Sequence, residues 1–153
     1  MRVLELCERP VVTLDWGARV VDAARLLHDA GVGELVITRG RARRPIGLIS
    51  ERDIVIMAVA QAPEHLKALT VGDLLGDGVD PVNESDPLGV VLDRMSQTAL
   101  RRLPVVNDQG QAVGVIGFDV LVGRLLAERR RQERRASRAR LRILESRPEA
   151  PSP

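Results

Sequence analysis

The stretch Gly47-Leu48-Ile49-Ser50-Glu51-Arg52-Asp53-Ile54 passes from an apolar strand end into the start of a helix. Upstream, Pro45-Ile46 belongs to the strand; downstream, the helix is expected to run to about Ala60. Ser50 takes the N-cap position, and Asp53 sits three residues later in the first turn. One helix N-terminus thus gathers a hydroxyl, free backbone N–H groups, a guanidinium and a carboxylate. Such termini attract anions, phosphate in particular. The carboxylate suits a ribose instead, whose paired hydroxyls donate to it. The same residues also read as an ordinary capping box that needs no ligand, and capping boxes are common. What bears on the choice is that the surrounding unit occurs twice.

Residues 3–8 form a short lead segment, residues 11–14 a strand with Pro10 at its edge, and Asp15-Trp16-Gly17 a turn. Val20, Ala23, Ala24, Leu27 and Ala30 mark one face of a helix over 18–30, and Gly31 closes it. A buried strand at 35–38, the basic loop Arg39-Gly40-Arg41-Ala42-Arg43-Arg44 and a return strand at 46–49 have hairpin spacing. After the Glu51 helix, Pro63 begins a linker through Lys67. The order then repeats: a lead segment at 71–75, a strand at 80–83, and a helix over 87–95 with Leu88, Val91, Leu92 and Met95 inward. A strand at 103–106, the turn Asn107-Asp108-Gln109-Gly110, a return strand at 113–116 and a helix from Leu121 complete it. Val20 and Leu88 lie 68 apart, Gly47 and Gly114 67 apart; the shorter loop in the second copy accounts for the difference. Two β-α-β-β-α units in tandem define an α+β fold whose halves should bury their sheets together. The expected domains are a first repeat over 1–66, a second over 67–127, and an Arg-rich helix with a disordered end over 128–153.

Composition narrows the function. Among 153 residues, 44% are apolar, with one Trp, one Phe and no Tyr, so stacking platforms for nucleic-acid bases are not expected. The single cysteine, Cys7, excludes an intrachain disulfide, fits a reducing compartment and reads as small packing material. Charge precedes any apolar run at the N-terminus, and apolar stretches are too short to span a membrane. The expectation is a cytoplasmic protein without a membrane contact. His28 and His65 have no Ser, Cys or Asp at a catalytic spacing, and one Cys with two His does not support a metal site. No enzyme is expected.

The tandem resembles the cystathionine β-synthase (CBS) domain pair, or Bateman module. Gly47-Leu48-Ile49-Ser50-Glu51-Arg52-Asp53-Ile54 carries the likeness in the first copy. Arg101-Arg102-Leu103-Pro104-Val105-Val106-Asn107 and Gly114-Val115-Ile116 carry it in the second. The resemblance covers roughly residues 3–127. It implies a regulatory, energy-sensing module for AMP, ADP, ATP, NAD or S-adenosylmethionine, with no other cofactor required, acting as a flat homodimer on a partner protein. By the same resemblance Asp53 would hold the ribose, Ser50 and Arg52 would meet phosphate, and Val12, Thr13, Gly33, Glu34 and Leu35 would frame the adenine.

The second copy departs from this pattern. Aligned on Gly114, the hydroxyl position is Gly117 and the carboxylate position Val120. Asp119 comes one residue early, a rotation of about 100° on a helix. One ligand per chain is therefore expected, in the first repeat. Glu34 would repel a phosphate, and Arg101 and Arg102 would offset it if they face the shared cleft.

The charge is uneven. Residues 124–153 hold ten Arg and four Glu, a net +6, against −4 for the rest, which gives the overall +2. From Arg124 no Gly or Pro interrupts the chain before Pro148, so a long basic helix is expected, too sparse in apolar residues for a coiled coil. It could contact nucleic acid or an acidic protein, dock on a second copy, or simply be solvated. Two functions other than nucleotide sensing thus stay open: a dimerisation scaffold without ligand, and a nucleic-acid or acidic-partner factor acting through the tail.

Overall fold

The computed structural model describes residues 1–146; the disorder expected of 148–153 concerns residues outside these. One compact unit is Met1–Phe118, and a second begins at Asp119.

The first unit holds two three-stranded sheets. In the first, β1 (Thr13–Asp15) pairs in parallel with β2 (Glu34–Arg39), which pairs antiparallel with β3 (Arg44–Ser50). In the second, β4 (Val82–Asn83), β5 (Arg102–Val106) and β6 (Ala112–Gly117) repeat that arrangement. Helix α1 (Val20–Ala30) connects β1 to β2, and α4 (Leu88–Thr98) connects β4 to β5. Parallel neighbours require such a crossover, whereas the antiparallel pairs close with short turns. Gly31 ends α1 in the left-handed region at φ 65. Its counterpart 68 positions on is Ala99, held at φ 56, where a Cβ is strained.

The helix after β3 departs from expectation in its winding. Only Glu51–Asp53, labelled α2, is α-helical; Ile54–Ala60 continues as a π-helix. A π turn widens the spiral to an i→i+5 repeat. Ile54 and Ala58 face the core, while Val55, Ile56, Met57 and Val59 are exposed.

The lead segments are exchanged between the repeats. Residues 3–8 bond to the second: Val3 N–H donates to Asp86 O at 3.1 Å, and Glu8 and Val115 exchange backbone bonds of 2.8 and 3.1 Å. The second lead segment, a short helix α3 (Val71–Leu75), bonds to the first: Val71 N–H to Ala18 O at 2.9 Å, Gly72 N–H to Trp16 O at 2.9 Å. Val79 N–H then donates to Ile46 O at 2.7 Å. The core of the first repeat accordingly combines Val20, Ala23, Leu27, Leu35, Ile37, Ile49, Ile54 and Ala58 with Val71 and Leu74 of α3. Val3 is fully buried in the same way. β3 lies against β5, so the two repeats also meet through these strands.

The second unit carries α5, which starts at Phe118 and runs to Glu145 as 28 helical residues.

Candidate functional site

Ser50 leaves β3 in an extended conformation and caps the helix that follows. Its Oγ accepts from the Asp53 N–H at 3.2 Å, while Asp53 Oδ2 accepts from the Ser50 N–H at 2.8 Å and from its hydroxyl at 2.9 Å. The capping box is therefore real, and it occupies one carboxylate oxygen. Among the described residues no hydrogen bond falls on Asp53 Oδ1. A cap and a ligand grip are compatible here, because the cap orients the carboxylate and leaves half of it open. Arg52, beside it, is exposed.

Asp53 lines an open cavity of about 220 Å³. Its other walls are Gly47–Ile49 of β3, Met57, Leu74 and Leu75 of α3, Gly78, Val79, Leu100 and Arg102. A second cavity, also about 220 Å³, is lined by Pro10, Val11, Val12, Val32, Gly33, Glu34 and Val36, together with Glu8 and Val115. The two correspond under the internal repeat: Val79 stands 68 positions after Val11, and Arg102 68 after Glu34. Each cavity thus takes its strand-end frame from one repeat and its return strand from the other.

The residues expected to act together are divided by this arrangement. Val12, Gly33 and Glu34 share the second cavity, away from Asp53. Leu35 points its side chain into the core, fully buried. Thr13 faces a different hollow with Thr38, Arg41 and Arg43. Arg101 places its guanidinium 5.4 Å from the centre of the Phe118 ring, beside Leu92 and Met95. Gly78, Val79 and Leu100, unremarked in the sequence, stand where Val12 and Gly33 were expected. The 68-residue offset makes them the equivalents of Pro10, Val11 and Val32, which adjoin Val12 and Gly33 in the other cavity; only the fold shows which repeat's frame meets Asp53.

Arg102 does face the cleft, and it is committed there. Its Nε donates to both Glu34 carboxylate oxygens at 2.9 Å, and its Nη2 donates to Glu34 Oε1 and, at 3.0 Å, to Glu8 Oε2. The Glu34 hydrogen bonds, followed by those to Glu8, raise the guanidinium's pKa against the opposing effect of burial, so it stays charged at any working pH. The Glu34–Arg102 pair stands between the cavities, each partner lining one of them. The Val12 side is left with two carboxylates, Glu8 and Glu34, at its rim. The Asp53 side has the arginine.

A sequence model of the CBS domain matches residues 3–59 and 71–126, and the chain belongs to this family. It is 30% identical over 112 residues to the uncharacterised protein MK0525 of Methanopyrus kandleri, covering 73% of this chain. It spans 56% of the length of that relative. Among solved structures, the CBS domain protein PAE2072 of Pyrobaculum aerophilum, complexed with AMP, is 33% identical with a TM-score of 0.65. That match covers 79% of this chain and 90% of the other. The CBS domain pair of protein MJ0100, in complex with 5′-methylthioadenosine and S-adenosylmethionine, has the same fold at 24% identity and a TM-score of 0.65. It covers 84% of this chain and 98% of that one. CBS domain pairs are typically regulatory rather than catalytic. Among the described residues no helix is long and apolar enough to cross a membrane.

Proposed function

We propose that this CBS pair is a regulatory module that binds one adenosine-containing ligand per chain in the Asp53 cavity and signals its presence to a partner protein. The observation that carries the reading is the Asp53 carboxylate, oriented by the Ser50 cap, with one oxygen open, in a cavity shared with Arg102. About 220 Å³ is below the usual range for whole ligands, about 300–1,000 Å³, and suits a nucleoside whose phosphates extend into solvent. The ribose hydroxyls donate to Asp53 Oδ1. The base lies against Val79 and Leu100, and the phosphate meets Arg52 and the helix N-terminus. The return strand at the Val12 cavity leads to Gly117 and Val120 where Ser50 and Asp53 stand in the first repeat, which argues for one site rather than two.

A phosphate at the mouth of the Asp53 cavity competes with Glu34 and Glu8 for Arg102. Those bonds join the two repeats, so the ligand favours whichever inter-repeat arrangement lets Arg102 turn to it. The similarity to a protein complexed with AMP makes AMP the first candidate. The module works as a homodimer in a reducing compartment, the cytoplasm.

The test is a thermal-shift panel with AMP, ADP, ATP, NAD and S-adenosylmethionine on the wild type and Asp53→Asn. Asparagine can still accept from Ser50, so the cap survives while the charge that holds a ribose is lost. A ligand at about a hundred times its Kd should stabilise the fold by about 2.7 kcal/mol, a rise of several degrees in Tm. The rise should vanish in Asp53→Asn at an unchanged baseline Tm. No shift with any of the five ligands overturns the reading and leaves Ser50–Asp53 as a helix cap.

A further inference from the structure

Between Arg124 and Glu145, α5 holds nine arginines and three glutamates. Among the described residues one of these arginines, Arg129, has a salt bridge, to Glu133 at 3.1 Å. From Arg129 onward every arginine of the helix is exposed.

Their placement is ordered. Arg131, Arg135, Arg138 and Arg142 follow the i, i+4, i+7, i+11 progression that puts side chains on one line along a helix. At a rise of about 1.5 Å per residue they span about 16 Å, with steps of about 4.5–6 Å. Arg134 flanks the line, and Arg129 and Arg140 project from nearly the opposite side. Four arginine pairs, 130/134, 131/135, 134/138 and 138/142, lie four apart, where like charges repel and oppose the helix. An anionic partner relieves that repulsion.

The apolar residues narrow the choice of partner. Leu125 and Leu126 lie at one end of this stretch and Leu141, Ile143 and Leu144 at the other; the turns between carry only alanines. A membrane surface or a coiled-coil partner needs a continuous apolar stripe, and this helix lacks one. A rod of arginines with regular axial spacing, charged on two opposite sides, matches a linear polyanion with charge on both walls of a groove. The B-DNA major groove, about 12 Å wide, admits a helix of about 10–12 Å diameter.

We propose that α5 is a docking surface for double-stranded DNA, held through the phosphate backbone and blind to sequence. The arginine line contacts one wall of the groove, and Arg129 and Arg140 the other. Phosphate contacts position a protein without specifying bases.

The experiment uses the full chain, a 24-base-pair duplex and fluorescence anisotropy from 50 to 200 mM KCl. The comparison variant carries Arg131→Gln, Arg135→Gln, Arg138→Gln and Arg142→Gln. Glutamine is nearly as good a helix former as arginine, and circular dichroism verifies that the helix persists. With six phosphates engaged, the slope of log K against log salt should be about −5.4, an affinity loss of roughly 2,000-fold over that range. The variant should lose between three and four from the slope. Absence of binding at 50 mM, or an unchanged slope in the variant, overturns the proposal. So does equal or tighter binding of poly-glutamate or single-stranded RNA, which would assign the surface to an acidic protein or to RNA. A change of oligomeric state in the variant without any DNA binding would assign it to a second copy.

Discussion

Gly47 and Gly114 hold equivalent places in the two return strands, yet different atoms press on them. A Cβ on Gly47 would stand 2.7 Å from Leu75 Cδ2, the mobile end of a side chain. A Cβ on Gly114 would meet Cys7 Sγ at 2.9 Å and the Glu8 backbone oxygen at 3.0 Å. Leu75 can rotate aside, whereas the Glu8 carbonyl is fixed by its ladder bond to Val115. Gly47→Ala should therefore cost less than about 1 kcal/mol and Gly114→Ala about 2 kcal/mol, within the range for overpacked sites. Urea denaturation midpoints measure both, and equal losses would sink the distinction. The same contact explains Cys7. Only a small side chain fits under β6, which agrees with its reading as packing material.

Among the elements, the π-helical Ile54–Ala60 segment stands apart. It begins directly after the Asp53 cap and turns Val55, Ile56 and Val59 to solvent, with exposures of 58, 40 and 45%. Apolar surface grouped in this way marks a contact site. The homodimer proposed for this family member would bury this face against its equal in a second copy. Ile56→Lys should shift the protein from dimer to monomer in sedimentation at micromolar concentration while leaving Tm extrapolated to low concentration unchanged. A monomeric wild type, or a variant that still dimerises, would place the interface elsewhere. Helix α2 and its extension were legible as a helix because apolar residues recur along 51–60. Their π winding was not legible, since residue types do not distinguish an i→i+4 from an i→i+5 repeat over seven positions.

The two repeats are held together by traded segments as well as by apposed sheets. Val71 lies in the sequence of the second repeat and in the core of the first; Val3 lies in the sequence of the first and pairs with the second. Val71→Ala should cost about 2 kcal/mol, in keeping with large-to-small changes in a core. Amide exchange should then rise first in β2 and β3. Val3→Ala should instead speed exchange in β5 and β6. Equal acceleration throughout in both variants would show that the repeats open as one unit, contrary to this expectation.

The tandem order, the apolar faces of α1 and α4, the hairpins, and the Ser50–Asp53 cap were all legible in the sequence. Each rests on neighbours within a few residues, or on a periodicity that survives in one dimension. Arg102 opposite Glu34 was anticipated only as a condition, that it face the cleft. The grouping of Asp53 with Gly78, Val79 and Leu100, rather than with Val12 and Gly33, was not legible at all. Both groupings obey the same local rules, because the repeats are equivalent in pattern. The choice was made by the exchange of lead segments, which brings α3 and residues 78–79 against β3 and residues 3–8 against β6. Contacts between residues so far apart depend on how whole sheets pack. That packing is settled by the burial of both sheets' apolar faces at once, a property of the folded chain and of no single stretch of it.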